Sequence, residues 1–286
     1  MKEGHIGGLL AISYLLFNLL FWAYPFLWLM VLSVSDWRFF DTPSFSGLRN
    51  TYIILQDVEF WRSLWNVARF LGIYVPMVLA CSLAFAFGLQ RIGRGKMFVA
   101  LCFLLANVSS GVAYSLVFTK IFSSTGPLNL WLLDWFGFSI PWLSSPSMAM
   151  FSLALVISWK FVGYYGLILY SGLVAIPTEI YDAAKLDNTP ALTRLFKVTL
   201  PMLNSQLVMV LIFAITVAFG IFTEPYMMTG GGPLESTNMP MLVMYETAFT
   251  RLQPGRAALM AIIIAVISYA LIKIMRKLIE KDVVLT

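Results

Sequence analysis

The side chains able to do chemistry are few, and they are concentrated. The densest polar stretch is Ile176-Pro177-Thr178-Glu179-Ile180-Tyr181-Asp182-Ala183-Ala184-Lys185-Leu186-Asp187-Asn188, continuing to Phe196-Lys197-Val198-Thr199-Leu200-Pro201. It lies between two long apolar runs. A polar, helix-forming segment in that position suits recognition by something outside the bilayer rather than bond-making. Inside the apolar runs stand Lys160 and Glu224, with Asn107, Ser109, Ser110 and Tyr114 in one run and Tyr164 and Tyr165 one turn beyond Lys160. Ionisable groups at membrane depth are costly and face a cavity or a partner helix. Lys160 is open to three readings: a snorkelling cation, the counter-ion of an acid on a neighbouring helix, or a solute ligand. Glu224 reads equally as an interfacial charge near the outer end of its run, and the tyrosines as packing. Catalysis finds little support. His5 is the single histidine, and Cys81 and Cys102 fall in apolar runs, where they read as small buried hydrophobes. No phosphate-binding Gly-x-x-x-x-Gly-Lys-Ser/Thr loop is present, so any ATP-driven step needs a partner.

These residues must be positioned by membrane helices. The chain has 286 residues, is 60% hydrophobic and only 12% charged, and has a mean hydropathy of +0.84. Soluble domains have about 25% charged residues. A span needs about 20 mostly apolar residues. Six runs qualify, at 9–34, 64–90, 97–119, 147–173, 203–228 and 257–275. The first is too long for the apolar core of a cleaved signal. The reading is an all-α, polytopic protein with six transmembrane helices, a single transmembrane domain over 1–286 without internal duplication.

Alternate loops are basic. Arg91, Arg94 and Lys96 follow the second run; Lys185, Arg194 and Lys197 follow the fourth; Lys273, Arg276, Lys277 and Lys281 end the chain. Positive charge favours the cytoplasmic side, which puts both termini and the 174–202 loop there. The net charge of +5 is thereby explained without nucleic acid. The opposite loops carry Trp37, Trp61, Trp131, Trp135 and Trp142, suited to an interfacial belt facing lipid. Segment 128–138 is apolar but too short to span, and predicts an external interfacial helix preceded by a Gly126-Pro127 break.

The 174–202 loop has its own construction. Thr178 suits an N-cap, with Glu179 and Asp182 in the dipole-favoured first turn. Ala183-Ala184-Lys185-Leu186 propagate a helix. Asn188 can stop it in the left-handed conformation. Thr189-Pro190 predicts a second start, and Leu192, Leu195 and Phe196 give the next helix an apolar side. Two capped helices exceed what a plain connection requires.

This loop resembles the signature loop of ABC importer permeases, with Asp182-Ala183-Ala184 in place of a Glu-Ala-Ala core, Asn188 at the usual glycine, and Leu200-Pro201 beyond. Other pieces continue the resemblance: Gly47-Leu48-Arg49-Asn50 with Tyr52; Phe60-Trp61, Ser63-Leu64 and Asn66; and Phe222-Thr223-Glu224-Pro225-Tyr226 followed by Thr229-Gly230-Gly231-Gly232-Pro233. Their order is similar to the first permease subunit of carbohydrate importers of the maltose and glycerol-3-phosphate type. The resemblance implies a multi-pass permease of a prokaryotic inner or plasma membrane. It implies a second permease subunit forming a heterodimer, two ATPase subunits that bind ATP and Mg, and an external solute-binding protein delivering a carbohydrate or polyol. It assigns ATPase coupling to Glu179, Asp182, Ala183, Ala184, Asp187 and Asn188, and a surface facing the binding protein to Gly230, Gly231, Gly232 and Pro233. Tyr164 falls where the maltose permease has a sugar-contacting tyrosine. Ala214, Val217, Ala218 and Ile221 stand, apolar here, where that permease has substrate-facing residues. The expected solute path thus includes Tyr164, Asn107, Ala218, Ile221, Phe222 and Glu224. The chain itself is expected to hold no cofactor or metal and to be no enzyme. An ion-coupled secondary transporter is the alternative, and would need mid-span carboxylates or broken helix pairs. A membrane enzyme would need a His, Cys or carboxylate cluster.

Overall fold

The computed structural model describes residues 11–39 and 41–279. His5, Lys281 and the start of the first predicted run lie outside them. The described chain is mainly helical, with loops between the helices and a two-residue ladder in which β1 (Ser35–Asp36) pairs antiparallel with β2 (Ser44–Phe45). The helices are α1 (Ala11–Ser33), α2 (Arg49–Leu55), α3 (Val58–Arg91), α4 (Lys96–Val108), α5 (Gly111–Ile121), α6 (Pro127–Phe136), α7 (Pro146–Ala175), α8 (Thr178–Leu186), α9 (Ala191–Met202), α10 (Asn204–Gly220), α11 (Pro240–Tyr245) and α12 (Pro254–Ile279). Four of them, α1, α3, α7 and α12, are each long and apolar enough to cross a membrane.

Two predicted runs are not continuous helices. The run 97–119 is broken at Ser109-Ser110, and α4 and α5 meet at 96°. Both serines are extended, and Ser109 Oγ donates to the Ala106 carbonyl at 2.6 Å. Such a local bond competes with the helical ladder, and Ser-Ser-Gly is a run of weak helix formers. The run 203–228 stops at Gly220. Ile221 is extended, and a short turn restarts at Thr223 and continues as π-helix over Pro225–Thr229. Gly220 weakens the end, and Pro225 is tolerated in a first turn because its missing N–H has no helical partner there. By contrast, Pro76 is absorbed inside the 34-residue α3. The predicted interfacial helix forms as α6, with exposed Trp131 and Trp135, and it stops at Gly137 with φ 73°.

The chain divides into two compact units. Among the described residues, one comprises those of 11–62 and 243–267, the other those of 63–242 and 268–279. In the first, buried Asn50 donates to the carbonyls of Ser33 (3.0 Å) and Ser35 (2.9 Å), tying α2 to the end of α1. Arg251 meets Glu59 at 2.5 Å. That contact, together with Glu246 and Asp57, holds the guanidinium above its ordinary pKa. Asn50 is thus a packing residue.

In the second unit α7 is the central element. Leu153, Ile157, Tyr165, Leu169 and Leu173 are buried along it. Its small residues admit neighbours closely: a Cβ on Gly163 would stand 2.7 Å from the Phe103 backbone of α4, and one on Gly172 would stand 2.7 Å from Gln206 of α10. Packing through small residues is how apolar helices gain contact where the surroundings are equally apolar. The outward side chains of α1, such as Trp22 and Phe21, are exposed and apolar, as a lipid-facing surface requires.

Candidate functional site

The two breaks face each other, and the buried charges sit where they meet. A Cβ on Gly111, the first residue of α5, would lie 3.1 Å from the Thr223 side chain. Tyr114, one turn into α5, donates its hydroxyl to Glu224 Oε1. Lys160 Nζ, from α7, donates to Tyr114 Oη at 2.9 Å and stands 3.5 Å from Glu224 Oε1. The lysine and glutamate side chains are only 18% and 7% exposed. Of the three readings of Lys160, the counter-ion reading is the one observed. Glu224 is the acid that Lys160 meets, and its carboxylate is buried in the protein. Its place in the first turn after the Gly220–Phe222 break brings the carboxylate inward, and helix N-termini favour negative charge.

An open cavity of about 380 Å³ borders this cluster. Lys160, Phe161, Thr216, Ile221, Phe222 and Glu224 are among its walls. Phe222 stacks on Tyr226 at 5.2 Å between ring centroids. Of the residues expected on a solute path, Ile221, Phe222 and Glu224 line this cavity. Ala218 is buried in packing. Tyr164 is exposed one turn beyond Lys160, with its ring 6.0 Å from that of Phe213. Asn107 is half-buried near the end of α4, just before the break. Tyr114, absent from the expected set, bridges the ion pair. Its signal in the sequence was its place four residues after Ser110, at a helix start that had been read as mid-helix.

The 174–202 segment forms two helices, the first starting one residue earlier and the second one residue later than the capping argument placed it. Pro177, not Thr178, precedes α8, and Pro190, not Thr189, precedes α9; neither start has a side-chain cap. Prolines with extended ψ are tolerated there, because their missing N–H lies ahead of the helical ladder. Asn188 adopts the left-handed conformation with φ 48° and ends α8, as its position predicted. Thr189 N donates to the Ala184 carbonyl at 3.0 Å, satisfying one of the terminal acceptors. Glu179, Asp182, Ala183, Asp187 and Asn188 are exposed, while Ala184 is buried. Asp182 pairs with Lys185 at 2.7 Å. A second opening of about 430 Å³ lies between α8, α9 and the end of α3, with Arg91, Tyr181, Asp182 and Arg194 on its walls.

The glycine stretch is a tight, ordered turn. Gly230 and Gly231 have φ of 58° and 83°, and the Gly232-Pro233 peptide is cis. Thr237 donates to the Gly232 carbonyl at 2.6 Å and lies 2.7 Å from the Thr229 hydroxyl. Asn66 of α3 holds the following residues by donating to the Glu235 (2.8 Å) and Asn238 (3.0 Å) carbonyls.

Comparison with known proteins agrees with this architecture. Residues 4–284 match the family described as binding-protein-dependent transport system inner membrane component. The probable ABC transporter permease protein YurN of Bacillus subtilis is 30% identical over 260 residues, covering 88% of this chain and 89% of that protein. The lactose transport system permease protein LacF of Rhizobium radiobacter is 33% identical over 235 residues, covering 80% and 78%. A chain of a bacterial alginate ABC transporter, crystallised in complex with alginate pentasaccharide-bound periplasmic protein, superposes with a TM-score of 0.81 at 15% identity, covering 96% and 94%, and so shares the fold. The chain therefore belongs to the family of inner membrane components of binding-protein-dependent transport systems, and is a multi-pass permease subunit of an ABC importer.

Proposed function

We propose that this permease imports a carbohydrate or polyol, with the solute passing along the face that α5, α7 and the Gly220–Glu224 break present. The cavity beside Lys160 and Glu224 is what carries the reading. It combines an aromatic ring, Phe222, with hydroxyl and carboxylate acceptors, which suits a solute having both C–H faces and hydroxyls. Relatives named for sugars, such as the lactose permease, support the same class.

In this reading six spans cross the membrane, α4 with α5 forming the third, and both termini lie in the cytoplasm. α8 then projects from the cytoplasmic side and docks in a groove of an ATPase subunit. Its exposed acidic face and its sharp stop at Asn188 support that role. Two ATPase subunits bind ATP and Mg, a second permease subunit completes the pathway, and an external protein docks near Gly230–Pro233. A neighbour in fold is known with a periplasmic protein bound. ATP-driven closure of the ATPase pair moves α8 and opens the pathway outward; hydrolysis reverses it.

The test is uptake by proteoliposomes holding the whole complex, with ATP inside, the external protein outside and no ion gradient. ATP-dependent uptake is expected. Uptake that needs an ion gradient instead would replace this reading by ion coupling. Asp182→Lys should keep ATP hydrolysis while lowering the solute moved per ATP. Normal coupling in an assembled Asp182→Lys complex would remove α8 from the docking role.

A further inference from the structure

The family alone leaves the charge of the solute open. Lactose is neutral, whereas alginate is an acidic polysaccharide, and both have importers similar to this one. The local geometry is more specific. Lys160 and Glu224 are the two ionisable residues on the cavity wall, and they are of opposite sign. Their charged atoms are 3.5 Å apart, and Tyr114 joins them through one hydroxyl. The remaining walls are uncharged, including Thr216, Thr223, Phe161 and Phe222. Thr216 Oγ1 already donates to the Ile212 carbonyl at 2.8 Å, so it faces a solute mainly as an acceptor.

We propose that Glu224 is a specificity-determining residue: by neutralising Lys160 at the cavity wall, it makes this site accept uncharged polyhydroxy solutes and disfavour anionic ones. The inference rests on the solute pathway proposed above and adds the charge class. A lone lysine at low dielectric would attract carboxylates and phosphates strongly. With Glu224 beside it, an incoming anion gains from one charge and is repelled by the other, at nearly equal distance. A neutral hydroxyl meets no such repulsion and can donate to the carboxylate. Like-charge juxtaposition is a recognised route to rejecting the wrong ligand.

The experiment uses the complete complex in nanodiscs and a panel of neutral disaccharides, each matched with its aldonic acid (lactose with lactobionate, maltose with maltobionate). Equilibrium binding is measured without the external protein, so that its own selectivity does not intervene. The wild-type complex is expected to bind at least one neutral sugar about tenfold tighter than its acid. Glu224→Gln, which leaves Lys160 uncompensated, should narrow that ratio by about tenfold, mainly by tightening the acid. Lys160→Met, which leaves the carboxylate uncompensated, should widen it, and Lys160→Met/Glu224→Gln should return it toward the wild-type value. If Glu224→Gln fails to assemble, Lys160→Met and the double variant still decide the matter. A wild-type preference for the acid, or a ratio unmoved across the variants that assemble, overturns the charge inference while leaving the importer reading intact. A wild-type complex that binds no member of the panel, yet takes up a neutral sugar in the ATP-driven proteoliposome assay, overturns the charge inference alone, because this site then does not select the solute; failure of uptake as well is what fails the carbohydrate reading.

Discussion

Glu224→Ala tests whether the buried ion pair is a structural dependency of the fold. At 3.5 Å and an effective dielectric of about 20, the attraction between Lys160 and Glu224 is about 5 kcal/mol. Desolvation of the two ions, at several kcal/mol each, offsets most of it, so the intact pair adds little net stability. Removing one partner is a different perturbation. It strands a cation that is only 18% exposed, and stranding a buried charge costs about 3–5 kcal/mol. Tyr114 Oη, 2.9 Å from Lys160 Nζ, remains as an acceptor and puts the expected loss near the lower end, at about 3 kcal/mol. Lys160→Met/Glu224→Ala should cost less than Glu224→Ala alone, because no charge is left behind. The coupling between the two substitutions should reach about 1.5 kcal/mol, whereas hydrogen bonds between membrane helices average about 0.6 kcal/mol. The assay is equilibrium unfolding of the purified subunit in mixed micelles against SDS mole fraction, read by circular dichroism, for the two single variants and the double. Additivity within about 0.5 kcal/mol would refute the reasoning and reduce the contact to an accident of packing.

Three further outcomes follow from the geometry. Asn188→Gly should leave stability within a few tenths of a kcal/mol of wild type, whereas Asn188→Val should lose about 1–2 kcal/mol locally, because φ 48° is costly for a β-branched residue; protease sensitivity of the 186–191 segment reads the difference. Gly163→Leu should destabilise the α4–α7 contact by at least 1–3 kcal/mol, since its Cβ alone would meet the Phe103 backbone at 2.7 Å; a fall in melting temperature by fluorescence-detected size exclusion checks it, and an unchanged value would mean that α4 is free to move aside. Asn66→Ala should remove the amide that the Glu235 and Asn238 carbonyls share, costing about 1–3 kcal/mol in stability; it should also weaken stimulation of ATP hydrolysis by the external protein, and full stimulation in a folded variant would detach the 229–238 turn from that docking surface.

Much of the molecule was legible from residue order alone, because membrane helices obey a local rule. Without water to satisfy the backbone, an apolar run must satisfy itself as helix, so α1, α3, α7 and α12 followed from length and hydropathy. The stop at Asn188 was equally local, a matter of which residue tolerates positive φ. The turn at Gly230-Gly231 follows the same logic. Other features had a local signal whose outcome depends on competition. Ser109-Ser110-Gly111 and Gly220 through Pro225 are weak helix formers, yet Pro76 stands inside an unbroken α3. Whether such a spot breaks depends on what neighbouring elements offer to the freed backbone groups, and adjacent residues do not contain that information. The ion pair was beyond local reading altogether. Lys160 and Glu224 are separated by 64 positions, and each alone was compatible with an interface or a ligand role. The extended Ile221 re-aims the chain so that Glu224 faces α7, and the α4–α5 bend supplies Tyr114 between the two charges. Their meeting is decided by tertiary packing because electrostatic partnership depends on distance through space, which the hydropathy of a chain does not encode.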